Sequence, residues 1–378
     1  MPRKVKVALS GLGSVSQRGV LPHLAQPDAL ERVELVACCD VVAERAEQTA
    51  KKFGWKEWYT DYDEMIAKAD IEAVLLAGPI PVHYPQAMTA LRANKHVYVQ
   101  KSMTVTLAEA NDVVNEANAR GLKLVASPGQ MLNPIFQNIK KNIADGVIGK
   151  VYWAFSSTVG GGHEGESLRA GAGALAAIDP TWYYKKGGGP VYDMTVYVLH
   201  ALTGILGPVK RVTAMSGIGL KERRWKDVVI PVEMDDNTLI LLDFGDDVFA
   251  VATGQNCKGA PAIGFGRMIF FGSAGTIDTG RPMMGLEITS DTALPGMFGF
   301  TGGSYNVNAQ RQLKYVVGPH TTIPEPHVYN DIMHTVECIV ENTRPIPTGE
   351  HARHVVELIE KAYISAETGQ HQDLTTTF

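Results

Sequence analysis

The sequence has no apolar run approaching the roughly 18–20 residues that a transmembrane helix needs. Its N-terminus, MPRKVKVALSG, reaches a glycine too soon to hold the apolar segment of a signal peptide, and it predicts a strand instead. An excess of one charge is also lacking, since the net charge is −5 at pH 7 and the basic runs are only pairs, such as Lys140-Lys141 and Lys185-Lys186. We therefore expect a cytoplasmic protein with neither nucleic acid nor a membrane as partner.

Cysteine is scarce as well. The four cysteines are Cys38, Cys39, Cys257 and Cys338. They include no CxxC pair and no plausible disulfide framework for a chain of 378 residues. Adjacent Cys38 and Cys39 would point to opposite faces of a strand, as small core residues. His351 and His354 lack a carboxylate or cysteine companion for a metal, so we expect no metal site.

A chain of this length predicts two domains, and the first 127 residues repeat one unit of strand, turn and helix. The predicted strands are Val5–Leu9, Val33–Cys39, Ala73–Ala77, His96–Val99 and Leu122–Ala126. The predicted helices are Val15–Ala25, Ala43–Phe53, Tyr62–Lys68, Pro85–Ala93 and Leu107–Ala119. Near-continuous apolar strands alternating with helices indicate a parallel sheet covered on both faces. Residues 1–127 are thus predicted to form a doubly wound α/β domain.

The pattern changes in residues 128–378. A helix over Ile135–Asp145 and a strand over Val151–Val159 precede a Gly- and Ala-rich loop and a helix that ends at a glycine. Strand-like runs then recur between turns, in VKRVTAMSG, VVIPVEM, NTLILLDFG, VFAVATGQ and MIFFGSAGTI. Two helices close the chain, around Tyr329–Glu341 and Ala352–Thr368. This order predicts an α+β domain with one large, mostly antiparallel sheet.

A glycine-rich turn follows the first strand, in SGLGSVSQRG. Gly11 permits a tight turn and Gly13 lets the backbone approach a pyrophosphate, while Ser16 stands where a third glycine is common. Ser14 and Val15 open the next helix, whose amide groups can bind the phosphate. The turn alone is a weak signal, but its position in a strand–helix–strand unit favours dinucleotide binding.

Asp40, in LVACCDVVAERA, ends the second strand. A carboxylate there can accept hydrogen bonds from both ribose hydroxyls of an adenosine and would repel a 2′-phosphate. No arginine follows directly, so we expect NAD rather than NADP. The alternative role for Asp40 is a helix N-cap for the segment that starts near Val42.

Two further strand ends are expected at the same edge of the sheet, where open parallel sheets bind ligands. LAGPIPVH places Gly78, Pro79 and His83 after the third strand, and VYVQKS places Gln100 and Lys101 after the fourth. These residues are predicted to border the nicotinamide. For His83 the alternative is a structural role at the start of a helix.

Asp193, Tyr197 and His200 lie four and three residues apart on one predicted helix and should share a face. Oxidation of an alcohol needs a group that takes the hydroxyl proton. The pKa of free tyrosine is too high for this role, and a nearby Lys101 ammonium would lower it. Asp193 would hold Lys101 or the substrate hydroxyl in place. The alternative is that Tyr197 and His200 pack on the sheet while Asp193 caps the helix.

The loop from Gly160 to Pro180 is the predicted determinant of substrate choice. His163, Glu166, Arg169 and nearby Trp182 supply polar and aromatic groups there. We predict that His163, Trp182 and His200 contact substrate together with Lys101, Asp193 and Tyr197. A flexible loop that binds nothing is the alternative.

With these residues in hand, the sequence resembles the Gfo/Idh/MocA family of NAD(P)-dependent oxidoreductases. The matching stretches are VALSGLGSVS, ELVACCD, ALRANKHVYVQKSM, GVIGKVYWA and GGGPVYDMTVY. The resemblance implies a Rossmann domain, a second domain with an open sheet, a dimer or tetramer formed through that sheet, and sugars or polyols as substrates. Lys101 falls on the lysine of the family's Glu-Lys-Pro motif and Asp193 on the aspartate after its triple glycine. Tyr197 stands where many members carry histidine, and some use tyrosine.

Two residues depart from the family motif. Gln100 replaces glutamate and removes a negative charge beside Lys101, which makes a neutral, proton-accepting lysine easier to reach. Ser102 replaces proline and relaxes the fixed φ angle that proline would impose.

Three functions follow from these features. The first is an NAD-dependent dehydrogenase that oxidises a ring hydroxyl of a sugar, glycoside or cyclitol, with Tyr197 or Lys101 as acid–base group. The second is a redox glycosidase that oxidises, eliminates an aglycone, adds water and reduces again. The third is a dinucleotide-sensing binding protein without chemistry, which only the altered motif supports. We expect a homodimer or homotetramer.

Overall fold

The computed structural model describes residues 3–256, 265–280, 286–293, 301–307 and 312–378. Cys257 lies outside these ranges. Within them, no helix combines the length and the apolar character needed to cross a membrane.

The first sheet has six parallel strands in the order β3-β2-β1-β4-β5-β6. Its strands are β1 (Val5–Ser10), β2 (Val33–Cys39), β3 (Glu57–Tyr59), β4 (Ala73–Leu76), β5 (His96–Val99) and β6 (Leu124–Ala126). The helices of this part are α1 (Leu21–Leu24), α2 (Pro27–Leu30), α3 (Ala43–Phe53), α4 (Tyr62–Lys68), α5 (His83–Arg92) and α6 (Leu107–Ala119). The predicted doubly wound domain is confirmed. Two details differ: β3 was not predicted, and the first helix begins as a π turn over Ser16–Val20 before α1.

Both faces of this sheet are buried, as the continuous apolar strands predicted. Cys38 belongs to the core on one face and Cys39 to the core on the other. The prediction that these adjacent cysteines are small core residues on opposite faces is confirmed. Burial raises the pKa of each thiol to about 12.

The second sheet has nine strands in the order β16-β15-β14-β13-β7-β12-β11-β8-β17. The strands of this part are β7 (Val151–Gly160), β8 (Arg211–Gly217), β9 (Glu222–Trp225), β10 (Val228–Pro231), β11 (Asn237–Gly245), β12 (Val248–Asn256), β13 (Met268–Gly272), β14 (Gly275–Asp278), β15 (Leu286–Ala293), β16 (Thr301–Val307) and β17 (Gln372–Asp373). Its helices are α7 (Pro134–Ala144), α8 (Val196–Leu206), α9 (Pro326–Glu341) and α10 (Gly349–Thr368). The β7–β12 pair is parallel and the other pairs are antiparallel, which confirms the prediction of a large, mostly antiparallel sheet. β9 and β10 form a separate two-stranded sheet rather than joining the large one.

The large sheet buries one face and exposes the other. Alternation along β11 is typical: Ile240 and Leu242 pack in the core, whereas Leu239 and Leu241 are exposed. On the neighbouring strands Trp153 and Phe249 pair in register and are also exposed. This apolar outer face, defined by these side chains, is called the open sheet face below.

The two halves of the chain share their cores. On α9, Val328, Ile332 and Val336 are fully or almost fully buried in the same apolar core as Val7 and Leu9 of β1. A helix from the end of the sequence therefore covers one face of the first sheet. The boundary after residue 127 stays a prediction.

Candidate functional site

A cavity of about 1230 Å³ lies where the carboxyl ends of β1, β4 and β5 face the second domain. We call it the interdomain cavity. Its lining brings together most of the predicted site residues: Gly11, Gly13, Ser14, Val15, Asp40, Gly78, Pro79, Gln100, Lys101, His163, Trp182, Asp193 and Tyr197. His83 and His200 do not line it.

The glycine turn forms one end of this cavity. Gly11 has φ +86°, and a Cβ there would lie 2.4 Å from the backbone nitrogen of Gly78, so a side chain fits neither the conformation nor the space. The Ser16 hydroxyl donates to the Gly11 carbonyl at 2.6 Å and closes the turn. The backbone of Gly11 and Gly13 thus offers the close approach that a pyrophosphate requires.

Asp40 lies beside the turn and has no helix-capping role, because the N-cap of α3 is Val42. Its carboxylate accepts hydrogen bonds at 2.9 Å from the backbone N–H groups of Leu12 and Val42. Arg45, five residues on, forms an ion pair with it at 3.0 Å and donates to the Ala174 carbonyl. The sequence showed no arginine directly after Asp40, but the first turn of α3 places the Arg45 side chain next to the Asp40 carboxylate. Gly11, Gly13 and Asp40 fit a bound NAD.

His83 is not at the cavity surface. Its ring nitrogens lie 2.8 Å from the Ser102 carbonyl and 3.0 Å from the Gly78 carbonyl, and burial lowers its pKa to about 4. The predicted cofactor contact of His83 is therefore corrected to a structural role: the ring joins the two loops that carry Gly78 and Lys101.

Lys101 belongs to a chain of paired charges. Its Nζ forms an ion pair with Oδ1 of Asp193, whose Oδ2 lies 3.0 Å from Nε2 of His163. Nδ1 of His163 lies 2.5 Å from Glu166, which also accepts hydrogen bonds from Ser14 at 2.6 Å and Arg169 at 2.9 Å. The Gly160–Pro180 loop is therefore ordered by contacts that run from the glycine turn to Asp193.

These ion pairs and hydrogen bonds shift the pKa values of Asp193 and His163. Burial acts to raise the pKa of Asp193, but Lys101 and His163 hold it well below its usual range. Burial also acts to lower the pKa of His163, and the carboxylates of Asp193 and Glu166 raise it instead. Asp193 is consequently a weak proton acceptor with strong hydrogen-bonding partners.

Tyr197 faces a second cluster that the sequence did not reveal. Its Oη lies 3.0 Å from Nε2 of His327, and Glu325 lies 3.6 Å from the same nitrogen. Arg18 pairs with Glu325 at 2.8 Å. Burial and the charges of Glu325 and Asp193 hold the pKa of Tyr197 well above its usual value, so the phenol is not made a free base by the nearby Lys101. Lys101 Nζ lies 5.4 Å from the centre of the tyrosine ring.

His200 does not share the cavity face with Asp193 and Tyr197. The helix begins with a π turn over Val191–Thr195 that contains Asp193, whereas Tyr197 and His200 both lie in α8. Tyr197 lines the cavity, but His200 packs toward His351 of α10. His200 is buried, and its ring packs 4.8 Å from the ring of His351. Its predicted substrate contact is corrected to a packing role.

Glu325 and His327 lie just before and at the start of α9, and both line the interdomain cavity. No motif in PEPH marks them, and only the folding of α9 onto the first sheet brings them to Tyr197. Within the described ranges, no group of three or more His, Cys, Asp or Glu side chains is placed to hold a metal ion.

Comparison with known proteins agrees with this geometry. Residues 5–127 match the family described as oxidoreductase family, NAD-binding Rossmann fold, and residues 136–278 match the GFO/IDH/MocA C-terminal domain. The D-glucoside 3-dehydrogenase of Escherichia coli (strain K12) is 26% identical over 214 residues, which cover 56% of this chain and 57% of that protein. The inositol 2-dehydrogenase of Salmonella typhimurium (strain LT2) is 31% identical over 123 residues, or 32% of this chain and 35% of that protein. The chain spans less than two thirds of the length of these curated relatives.

Solved structures share the whole fold. A levoglucosan dehydrogenase in complex with NADH and levoglucosan superimposes with a TM-score of 0.78 at 18% identity, over 99% of this chain and all of that chain. The fold and the NAD-binding domain are therefore common to these proteins. Because both parts of the chain match the family, this protein belongs to the GFO/IDH/MocA family of oxidoreductases, with an NAD-binding Rossmann fold.

Proposed function

We propose that this protein is an NAD-dependent dehydrogenase that oxidises a ring hydroxyl of a sugar, glycoside or cyclitol. The observation that carries the proposal is the interdomain cavity itself, in which a dinucleotide-binding wall faces Lys101, Asp193 and Tyr197. The named relatives above act on a glucoside and on inositol, and a structural neighbour holds levoglucosan. All three are hydroxyl-rich rings.

Each side chain in the cavity has a separate role in this reaction. NAD, when bound, supplies the hydride acceptor. Lys101 donates a hydrogen bond to the substrate oxygen, and Asp193 holds Lys101 in position through their ion pair. Tyr197 or Lys101 moves the hydroxyl proton. Trp182 offers an aromatic face against which a sugar ring can pack, and His163 places a polar group at the same end of the cavity.

The assay that tests this proposal incubates purified protein with NAD and a panel of sugars, cyclitols and glycosides. Absorbance of NADH is followed, and released aglycone is measured in the same wells. We expect NADH to accumulate with one class of ring alcohol. Aglycone release without NADH would identify a redox glycosidase instead. NAD binding without either product would favour the dinucleotide-sensing protein.

We also propose that copies of the chain associate as a homodimer or homotetramer through the open sheet face. The large apolar side chains exposed there are the support for it. Light scattering coupled to size-exclusion chromatography would measure the oligomeric state, and Phe249→Asp should shift it to the monomer. A wild-type monomer would contradict the proposal.

A further inference from the structure

Tyr197 and His327 form a pair that the family resemblance did not anticipate. They come from α8 and from the start of α9, and both line the interdomain cavity. The Tyr197 Oη and the His327 Nε2 are 3.0 Å apart, and the two rings meet edge to face with their centres 5.5 Å apart. This is hydrogen-bonding distance for a phenol that donates to a neutral imidazole.

We propose that His327 is the proton acceptor behind Tyr197 when a substrate hydroxyl is oxidised. The inference rests on the proposed dehydrogenase function. NAD⁺, when bound, would accept the hydride of the carbinol carbon, and the hydroxyl proton passes to the Tyr197 oxygen. Tyr197 passes its own phenolic proton to Nε2 of His327. The products are a ketone, NADH, a neutral tyrosine and a protonated histidine, so charge and electrons balance.

The other charged groups in the cavity are poorly suited to accept this proton. Asp193 is bound by Lys101 and His163, and Glu166 by Ser14, Arg169 and His163. Transfer through Tyr197 also removes the difficulty of its high pKa, since no free phenolate has to form. His327 thus acts through Tyr197, as a positioning and proton-accepting residue.

The charges around His327 suit this role. The titratable and charged groups that act on it are Glu325 from the segment before α9, Arg18 from the π turn after β1, Lys101 from the end of β5, Tyr197 from α8 and the buried His23 of α1. Burial, Lys101 and Arg18 lower the pKa of His327 against the opposing effect of Glu325, which favours the neutral ring that can accept a proton. Once the proton arrives, Glu325 lies 3.6 Å from Nε2 and stabilises the imidazolium.

The first test needs no substrate. Nitrogen NMR of histidine-labelled protein at pH 7.5 would report the tautomer of His327, with His327→Gln to assign its signals. We expect a protonated Nδ1 and an unprotonated Nε2 whose resonance moves in Tyr197→Phe. A protonated Nε2, or no response to Tyr197→Phe, would overturn the proposal.

The second test uses whichever ring alcohol yields NADH. His327→Gln keeps a hydrogen-bond acceptor but takes no proton, so kcat should fall about tenfold or more while NAD affinity is retained. Wild-type turnover should decline as pH falls through the lowered pKa of His327, and this acid limb should vanish in the variant. In a Tyr197→Phe background, His327→Gln should cause no further loss.

His334→Gln is the matched control, since it makes the same change at a buried histidine of α9 that does not line the cavity. It should leave kcat and the pH profile unchanged. Equal losses from His327→Gln with and without Tyr197 would overturn the pairing. Absence of NADH from the wild-type protein with every alcohol would refute the dehydrogenase, while the NMR result would still decide the state of His327.

Discussion

The two ends of the interdomain cavity differ in which atoms form them, backbone at one end and side chains at the other. The cofactor end consists of backbone, at Gly11 and Gly78, together with one carboxylate, Asp40. The opposite end consists of side chains from distant segments, and most of its charges are paired, as at Lys101 and Asp193. A backbone-built site depends on local conformation, whereas a side-chain network depends on how the whole chain packs. Substitutions at the backbone-built cofactor end should therefore be poorly tolerated, whereas substitutions in the side-chain network should lower activity by amounts that differ from residue to residue.

The largest effect is expected from Lys101→Met, at the point where the two ends meet. Loss of the ammonium removes the hydrogen bond to the substrate oxygen and leaves the buried Asp193 carboxylate without its ion-pair partner. We expect turnover to fall on the order of 10²–10⁴-fold, with NAD binding retained. Steady-state kinetics and calorimetric NAD titration measure the two quantities.

Lys68→Met is the control, because it deletes the same charge from an exposed ion pair on α4. It should leave turnover unchanged. A Lys101→Met protein with turnover within a few-fold of wild type would remove Lys101 from the mechanism.

Gly11→Ala probes the backbone-built end. The added Cβ would meet the backbone of Gly78 at 2.4 Å, in a conformation that alanine disfavours, so the turn has to move. NAD affinity should fall by about 10–100-fold, which corresponds to the roughly 1–3 kcal/mol of such strain. Gly54→Ala is the control, because Gly54 has a similar φ of +80° but an added Cβ there would have no atom within 4 Å. It should lower stability alone, and an equal loss of NAD affinity in both variants would show that crowding at Gly78 is unimportant.

Glu166→Gln tests the graded response of the network. The substitution keeps an oxygen for Ser14 but removes the charge that faces His163 and Arg169. We expect kcat/KM to fall roughly fivefold, for about 1 kcal/mol of lost interaction. The pKa of His163 should fall because one of the two carboxylates that raise it has gone, so the ring should lose its proton at a lower pH.

Glu164→Gln is the control for this change. Glu164 lies in the same loop but pairs with Arg223 and does not line the cavity. Its kcat/KM should match wild type, and a similar fall in both variants would point to general loosening of the loop.

The smallest effect is expected from Gln100→Glu, which restores the charge of the family motif. Gln100 donates to the Tyr98 hydroxyl at 2.6 Å, and a glutamate could accept from that hydroxyl instead. The added negative charge should stabilise the Lys101 ammonium and move the pH optimum of turnover upward by less than about one unit. Gln48→Glu, on the exposed face of α3, adds the same charge far from Lys101. An identical pH profile in wild type and Gln100→Glu would contradict the proposed effect of residue 100 on Lys101.

Prediction from the sequence placed residues correctly where their position follows from local pattern. The glycine turn, Asp40 and Lys101 each sit at the end of a strand, and strand ends of a parallel sheet converge by construction. His200 could not be placed correctly, because its burial depends on the packing of α10, a segment about 150 positions away, against α8. His327 was missed because its contact with Tyr197 spans 130 positions of sequence. The run VVIPVEM, which contains β10, was predicted to belong to the large sheet, but β10 pairs with the unpredicted β9 instead, since strand patterns do not specify partners.

The packing of α9 on the first sheet has a consequence for biosynthesis. The ribosome releases β1 long before the apolar side chains of α9 that complete its core, because α9 follows β1 by more than 300 residues. During synthesis the core of the first sheet therefore stays incompletely covered until α9 has emerged, unlike the core of a domain that folds as soon as its own residues are made. We expect a fragment of residues 5–127 made alone to aggregate, and a soluble, NAD-binding fragment would show that the core closes without α9.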